Sequence, residues 1–183
     1  MLSLARPRAD RRQPVEVNQV VREVRDLLGQ TLPPTIELFC DLAPDLPPVL
    51  ADPGQIQQVL LNLGLNARDA LPHGGRIDFT TRLAGGRGAD GGGQPPRVVL
   101  EVTDDGEGMT ADVRERIFEP FFTTRAAGQG TGLGLAVVQS MVRGMGGGIS
   151  VTSQPGSGSR FRVELPACAL SPPPASVERR SEE

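Results

Sequence analysis

Apolar residues recur along this chain with two different periods, and the periods mark out its elements. Val17, Val20, Val21, Val24, Leu27 and Leu28 share one helical face and predict a helix over 15–31, which Pro33-Pro34 stops. Ile56, Val59, Leu60, Leu63, Ala67, Ala70 and Leu71 predict a second helix. Its start is well marked: Asp52 is the N-cap candidate, Pro53 takes the first helical position and Gln55 completes a capping-box pattern. It ends at Pro72, before the turn His73-Gly74-Gly75. A third helical stripe, Ala136, Val137, Val138, Met141, Val142 and Met145, follows a glycine-rich run. Residues 76–83, 97–103, about 149–153 and 159–165 alternate like half-buried strands, and Ile36 to Cys40 reads as another. In the last strand Phe161, Val163 and Leu165 point one way, and Arg160, Arg162 and Glu164 the other.

The remainder is connection. Pro44 to Pro48 reads as a loop, and Thr110 caps a short helix to about Phe118. Gly85 to Pro96 is almost all Gly, Pro and polar residues and is expected to be a disordered loop. Residues 1–14 read as a linker or the end of something upstream, and 167–183 as a disordered Ser/Pro/charged tail, leaving a domain over 15–166. Helices mixed with mostly antiparallel strands, without regular βαβ units, predict an α+β fold, a two-layer sandwich. Helices cover one face of its sheet and leave the other open.

Composition removes several function classes. A length of 183 residues suits one domain with some tail. The formal charge of -3 argues against a nucleic-acid partner, and neither a bilayer-spanning run nor a signal-peptide core is present in the sequence. Cys40 and Cys168 lack metal-ligand spacing and read as free thiols in a reducing compartment. All 19 basic residues are arginine. A P-loop and a eukaryotic-type protein kinase both need a lysine on the phosphates, so both are excluded.

Candidate chemistry concentrates in a few places. Gly128-Gln129-Gly130-Thr131-Gly132-Leu133-Gly134-Leu135 runs into the third helix, and such a loop offers free N–H groups and a helix dipole to anionic oxygens. Gln58, Asn62, Asn66 and Asp69 are spaced to share one narrow face of the second helix. Their oxygens suit a hard cation, although a solvated polar face reads the same way. Asp104-Asp105-Gly106-Glu107-Gly108-Met109 follows a strand. Its first carboxylate can accept from an exocyclic amine beside a flat base; an ordinary acidic turn is the plainer reading. Ile117 to Arg125 holds half of the six phenylalanines and reads either as local packing or as part of a mobile lid, Met109 to about Gly130.

Taken in order, these segments resemble the catalytic, ATP-binding domain of bacterial sensor histidine kinases, in the superfamily that includes Hsp90, gyrase and MutL ATPases. The matching stretches are QVLLNLGLNARDALPHGG (58–75), DDGEGM (104–109), IFEPFFTT (117–124), GTGLGL (130–135) and GSGSRF (156–161), and the resemblance covers about 15–166. It implies a Bergerat-type ATP-binding fold with ATP and Mg²⁺ between the helical layer and a lid. On that reading Asp104 binds the adenine amino group, Gly108 leaves room for the base and Ser159 sits nearby through water. Asn66 coordinates Mg²⁺ with Asn62 beside it, and Arg125 is the lid cation. Gly130, Thr131, Gly132, Leu133, Gly134 and Leu135 hold the phosphates, and Asp69, Gly106, Met109, Phe122 and Thr124 complete the nucleotide contacts. Arg125, Asp105 and Ser159 stand where lysine, asparagine and threonine are common, and Met145-Gly146-Gly147 lacks a histidine often found before those glycines.

The resemblance also implies a reaction. Asn62 stands where hydrolysing relatives carry a water-activating glutamate, which fits transfer of the γ-phosphoryl to a histidine rather than to water. The only histidine, His73, lies in a Pro-His-Gly-Gly turn without phosphoacceptor context. The acceptor is therefore expected on a separate dimerisation hairpin of a parent kinase, with a response regulator as an indirect partner. Leu2 to Arg8 resembles the end of that hairpin's second helix. The chain alone is expected to be monomeric and cytoplasmic in a bacterium, by itself or within a membrane-anchored parent. The alternatives are a nucleotide-binding module without transfer activity and a serine kinase of the anti-sigma type.

Overall fold

Eleven elements form in chain order. They are β1 (Gln13–Val15), α1 (Val17–Thr31), β2 (Ile36–Leu42), β3 (Val49–Ala51), α2 (Pro53–Asp69), β4 (Gly75–Ala84), β5 (Arg97–Asp104), α3 (Ala111–Arg116), α4 (Gly134–Gly144), β6 (Gly148–Ser153) and β7 (Ser159–Pro166). The computed structural model describes residues 11–86, 94–125 and 130–168. The expectations for residues 1–10, for the middle of the 85–96 loop, for residues 128–129 of the glycine-rich run and for the tail from 169 lie outside them.

The main sheet has the order β2-β4-β5-β7-β6. β2 and β4 are parallel and the other pairings antiparallel, as the alternation predicted. The sandwich is confirmed: α1, α2 and α4 cover one face, and the core forms where they meet Ile77, Phe79, Val98, Leu100, Val102, Phe161, Val163 and Leu165. Each fully buried Val, Leu, Ile or Phe contributes roughly 1.5–3 kcal/mol over its exposed state. The outer face carries ion pairs instead: Arg76–Asp78, Arg82–Asp41, Arg162–Glu101 and Arg162–Glu164. The guanidinium of Arg76 also lies over the Phe39 ring, 3.8 Å from its centroid.

The helices follow their stripes with two adjustments. Val17, Val20, Val21, Val24 and Leu28 are buried, but Leu27 at the edge of the stripe is 43% exposed. Gly64, absent from the apolar pattern, lies at the α1–α2 crossing, where a Cβ would come within 2.5 Å of Leu28 Cδ1. α2 starts as expected, the Asp52 carboxylate accepting from Gly54 N–H at 2.9 Å, and ends at Asp69 with Ala70 as its C-cap.

The fold also begins earlier and ends later than the sequence pattern. Gln13 and Pro14, read as linker, pair with Ala51 and Leu50 in a small two-stranded sheet. Ala167 bridges Val49, and Cys168 N–H donates to the Pro48 carbonyl at 2.7 Å. Three-residue strands leave no period to read, which is why β1 and β3 escape sequence analysis.

Candidate functional site

α2 and the C-terminal end of β5 form one wall of a cleft of about 480 Å³, and α3, the segment after it and the start of α4 form the other. The cleft unites segments that lie far apart in sequence. Asn62, Asn66 and Asp69 line it from α2, and Asp104, Gly108 and Met109 from β5 and its turn. Phe122, Thr124 and Arg125 line it from the loop after α3, and Gly130, Thr131, Gly132, Gly134 and Leu135 from the entry to α4, with Ser159 from β7. Two expected residues lie off the lining. Gly106 is pressed against the Ala70 carbonyl, where a Cβ would collide, and Leu133, the residue before α4, turns outward with 37% of its surface exposed. Gln58, the first residue of the polar stripe, lines not the cleft but an adjoining groove with Gln57 and Leu61, which shares Asn62 and Leu65 with the cleft. Leu65, Val113, Ile117 and Phe161 contribute apolar walls, and Arg68, Ala70, Glu107 and Thr123 also line the cleft. None of those eight was singled out as a site residue from the sequence; Ala70 and Phe161 read as core positions there, because burial against a cavity looks like burial against a core in a periodicity pattern.

Asp104 is 4% exposed and is the one buried charged residue among the described residues. Burial pushes its carboxyl above the ordinary range, while backbone N–H groups of Gly106 and Ser159 pull the other way. The Gly106 bond to Oδ1 is 3.0 Å. The neighbouring Asp105 has a structural task instead, accepting from Arg76 N–H at 2.7 Å. Gly108 lines the cleft, but its missing side chain answers to the protein first. A Cβ there would run into the Gln154 carbonyl, and its φ of +66° lies in the left-handed region. The close approach of the acidic turn to the β6–β7 connection thus requires glycine by itself, beside any room that Gly108 leaves for a ligand in the cleft it lines.

On the α2 side of the cleft the charges are partly exposed side chains paired with one another. Arg125 donates from Nη2 to Asn66 Oδ1 at 3.2 Å and pairs from Nη1 with Asp69 Oδ2 at 2.6 Å. Arg68 holds the other oxygen of Asp69 at 2.6 Å. Asn66 Nδ2 is buried without a hydrogen-bond partner among the described residues, a donor left for something in the cleft. Asn66 Oδ1 and the Asp69 carboxylate are hard oxygen donors, and a guanidinium already rests on both, so this pair of side chains suits a cation. Arg125, expected as the lid cation, is tied across the cleft to α2.

The aromatic segment divides its labour. Phe118 and Phe122 pack against the core, and Arg116 stacks over Phe122 at 4.4 Å. Phe121 is 75% exposed with φ +66°, its N–H donating to the Gly132 carbonyl at 3.0 Å. The Phe121 backbone is where a Cβ on Gly132 would collide, so this crossing ties the aromatic segment to the glycine-rich run. His73 is exposed in the turn between α2 and β4, as a turn residue should be.

Comparison with known proteins agrees with this geometry. Residues 51–169 match the model of the histidine kinase-, DNA gyrase B-, and HSP90-like ATPase family. The chain is 42% identical over 173 residues to the sensor kinase CckA of Brucella abortus, covering 91% of this chain and 18% of that protein. It is 41% identical over 167 residues to the sensor histidine kinase ZraS of Klebsiella oxytoca, covering 91% and 34%. The chain thus spans about a fifth to a third of these relatives. Among solved structures, full-length ShkA in complex with AMPPNP superposes with a TM-score of 0.71 at 34% identity, covering 87% of this chain and 32% of that one. The catalytic domain of histidine kinase ThkA, in a nucleotide-free form, gives 0.71 at 29% identity and covers 85% and 95%. The chain belongs to the histidine kinase-, DNA gyrase B- and HSP90-like ATPase family, and within it to the ATP-binding catalytic domains of sensor histidine kinases.

Proposed function

We propose that this domain binds ATP with magnesium and donates the γ-phosphoryl group to a histidine on a separate dimerisation hairpin, the first step of two-component signalling. The observation that carries the reading is the shared cleft: the buried Asp104 carboxylate and the α2 stripe of Asn62, Asn66 and Asp69 face the same space as the entry to α4. Asp104 would accept from the base's exocyclic amine. The N–H groups at the start of α4 would hold phosphate oxygens, and Asn66 Nδ2 would donate to them. Asn66 Oδ1, with Asp69 behind it, would hold magnesium, which supplies neutralisation of phosphate charge. Arg125 would exchange its α2 partners for phosphate oxygens, which a guanidinium can grip bidentately.

Asn62 lines the cleft and is an amide, unable to take a proton from an attacking water. That favours transfer to a nucleophile that needs no activation, such as an imidazole nitrogen. A hairpin of the parent kinase and, beyond it, a response regulator would be the partners. No helix among the described residues is long and apolar enough to cross a membrane, and the reading places the domain on the cytoplasmic side.

Radiolabelled ATP supplies the test. The chain alone should take up no label and hydrolyse ATP very slowly, and adding the parent kinase's hairpin should produce acid-labile label on the hairpin. Label on His73 in the isolated chain would overturn the reading. Nucleotide binding without transfer to the cognate hairpin would favour a binding module.

A further inference from the structure

Three hydroxyl contacts beside Asp104 define a direction of hydrogen bonding that reaches the cleft. Ser153, the last residue of β6, is 5% exposed and does not line the cleft. Its Oγ lies 2.8 Å from Met109 N–H, 2.8 Å from the Gly158 carbonyl and 3.0 Å from Ser159 Oγ. A hydroxyl has one proton to give and two lone pairs to receive with. The Gly158 carbonyl can only accept, so the Ser153 proton goes there. The Met109 N–H can only donate, so it takes one lone pair. The remaining contact is then settled: Ser159 must donate its own proton to Ser153. Ser159 Oγ, on the wall of the cleft and paired in register with Asp104, is left with lone pairs alone.

Asp104 is committed in the same sense. Its Oδ1 receives the Gly106 N–H at 3.0 Å, and an ionised carboxylate has only lone pairs to offer. This wall of the cleft therefore offers acceptors and withholds donors. A purine 6-amino group has two protons to give such a wall; a 6-oxo group at the same position meets lone pair against lone pair and leaves the adjacent ring N–H as the one donor on that edge.

We propose that Ser153 is a specificity-determining positioning residue: by absorbing the Ser159 proton it makes the Asp104–Ser159 wall acceptor-only, so that the cleft prefers a 6-amino over a 6-oxo purine nucleotide. The inference rests on the nucleotide reading above. Because Ser153 also receives the Met109 N–H, the residue that sets the polarity of this wall anchors the start of the segment leading into α3.

Calorimetric titration with ADP and with IDP, both with magnesium, tests the proposal. The two ligands differ at the purine 6-position and its adjacent ring nitrogen. The parent chain should bind ADP more tightly than IDP. Ser153→Ala frees the Ser159 proton, so IDP should bind about 3–10-fold more tightly than to the parent while ADP stays within about twofold. The gain should vanish in the Ser153→Ala/Ser159→Ala double variant, and Ser153→Thr, which keeps the hydroxyl, should restore the parent ratio. A merely structural role would weaken both nucleotides together, and that result, or an unchanged ratio in folded Ser153→Ala, overturns the proposal. Should Ser153→Ala not fold, Ser159→Ala decides alone: ADP must weaken while IDP holds within about twofold, and equal weakening of both overturns the proposal. A parent that binds ADP and IDP alike sinks this inference and leaves the nucleotide reading standing; a parent that binds neither sinks both.

Discussion

Asp104 is 4% exposed and bonded into the turn that follows its strand, whereas Arg125, lining the same cleft, is an exposed loop residue whose guanidinium reaches across to Asn66 and Asp69. The Asp104 side consists of strand ends and tight turns, with the Ser153 hydroxyl fully committed. The Arg125 side consists of exposed side-chain contacts and one buried amide nitrogen without a partner. The first arrangement selects by shape and hydrogen-bond direction before a ligand arrives. The second can trade partners, since an exposed ion pair holds it by no more than about 1 kcal/mol. A phosphoryl-transfer site needs both: a fixed reading of the base and charges free to regroup around the phosphates.

Glycines give the sharpest test of that contrast. Gly158 has φ +74°, and a Cβ there would collide with the Asp104 carbonyl. Gly158→Ala combines left-handed strain with overpacking against backbone and should cost roughly 2–4 kcal/mol, or about 5–15 °C in melting temperature. At Gly134, the first residue of α4, a Cβ would meet nothing within 4 Å. Gly134→Ala should keep or slightly raise the melting temperature while weakening nucleotide binding, because Gly134 lines the cleft. A Gly158→Ala chain as stable as the parent would show that the Asp104 side is less rigid than its contacts say.

The next largest effect separates the two sides by ligand. Asp104→Ala should weaken ADP binding by about 5–100-fold with or without magnesium, since a donor on the base loses its acceptor. Asn66→Ala should change magnesium-free binding little and abolish the gain that magnesium brings. Calorimetry at both conditions gives a two-by-two answer. If Asp104→Ala bound ADP as tightly as the parent, the base reading would fall; if Asn66→Ala kept its magnesium response, the cation would belong elsewhere.

The same contrast explains what the sequence disclosed. The α2 face from Ile56 to Ala67, the alternation of Phe161, Val163 and Leu165 and the Asp52 cap are local and periodic, so the layers of the sandwich were legible. Asp104, Asn66 and Arg125 were legible as residue types in spaced motifs, and the fold then brought them to one cleft. Ser153 was not. It reads as one more polar residue in an alternating strand, and its consequence depends on meeting Met109 across 44 residues and Ser159 across a tight turn. The reason for Gly108 was hidden likewise, because the obstructing Gln154 carbonyl is distant in sequence. The Arg125 clasp on α2 spans 59 residues and has no local signature.

That clasp gives a smaller and more specific expectation. Arg125→Ala removes the guanidinium from Asn66 and Asp69 in the free chain. Stability should fall by no more than about 1 kcal/mol, a shift of roughly 2–4 °C. Hydrogen exchange is the informative measurement. In the parent, amides of the segment from Met109 to Arg125 should exchange faster than those of β5 and β7, and a non-hydrolysable ATP analogue should protect them. Arg125→Ala should lose much of that added protection while the β5 amides change little. Equal protection with and without ligand in the parent would mean that the Arg125 side is as fixed as the Asp104 side.

The smallest effect probes what the rigid side costs the free molecule. Burial raises the Asp104 carboxyl above its usual range despite two backbone donors, so desolvation is the larger influence. A carboxyl that binds its proton more tightly folded than unfolded makes the folded state the better proton binder. Stability then falls as pH rises through the carboxylate range, and the loss is complete above the folded value. Asp104→Asn keeps the shape and an acceptor for Gly106 N–H but has no charge to bury. Its melting temperature relative to the parent should therefore climb as pH rises above the ordinary carboxylate value of about 4 and level off above the raised folded value. A flat or falling difference would mean that the Gly106 and Ser159 donors outweigh burial. Saturating MgADP should reverse the ranking at neutral pH, raising the parent's melting temperature far more than the variant's, because binding stabilises only the chain that binds. That reversal is what a destabilising buried carboxylate kept for a ligand predicts, and a merely structural aspartate would not produce it.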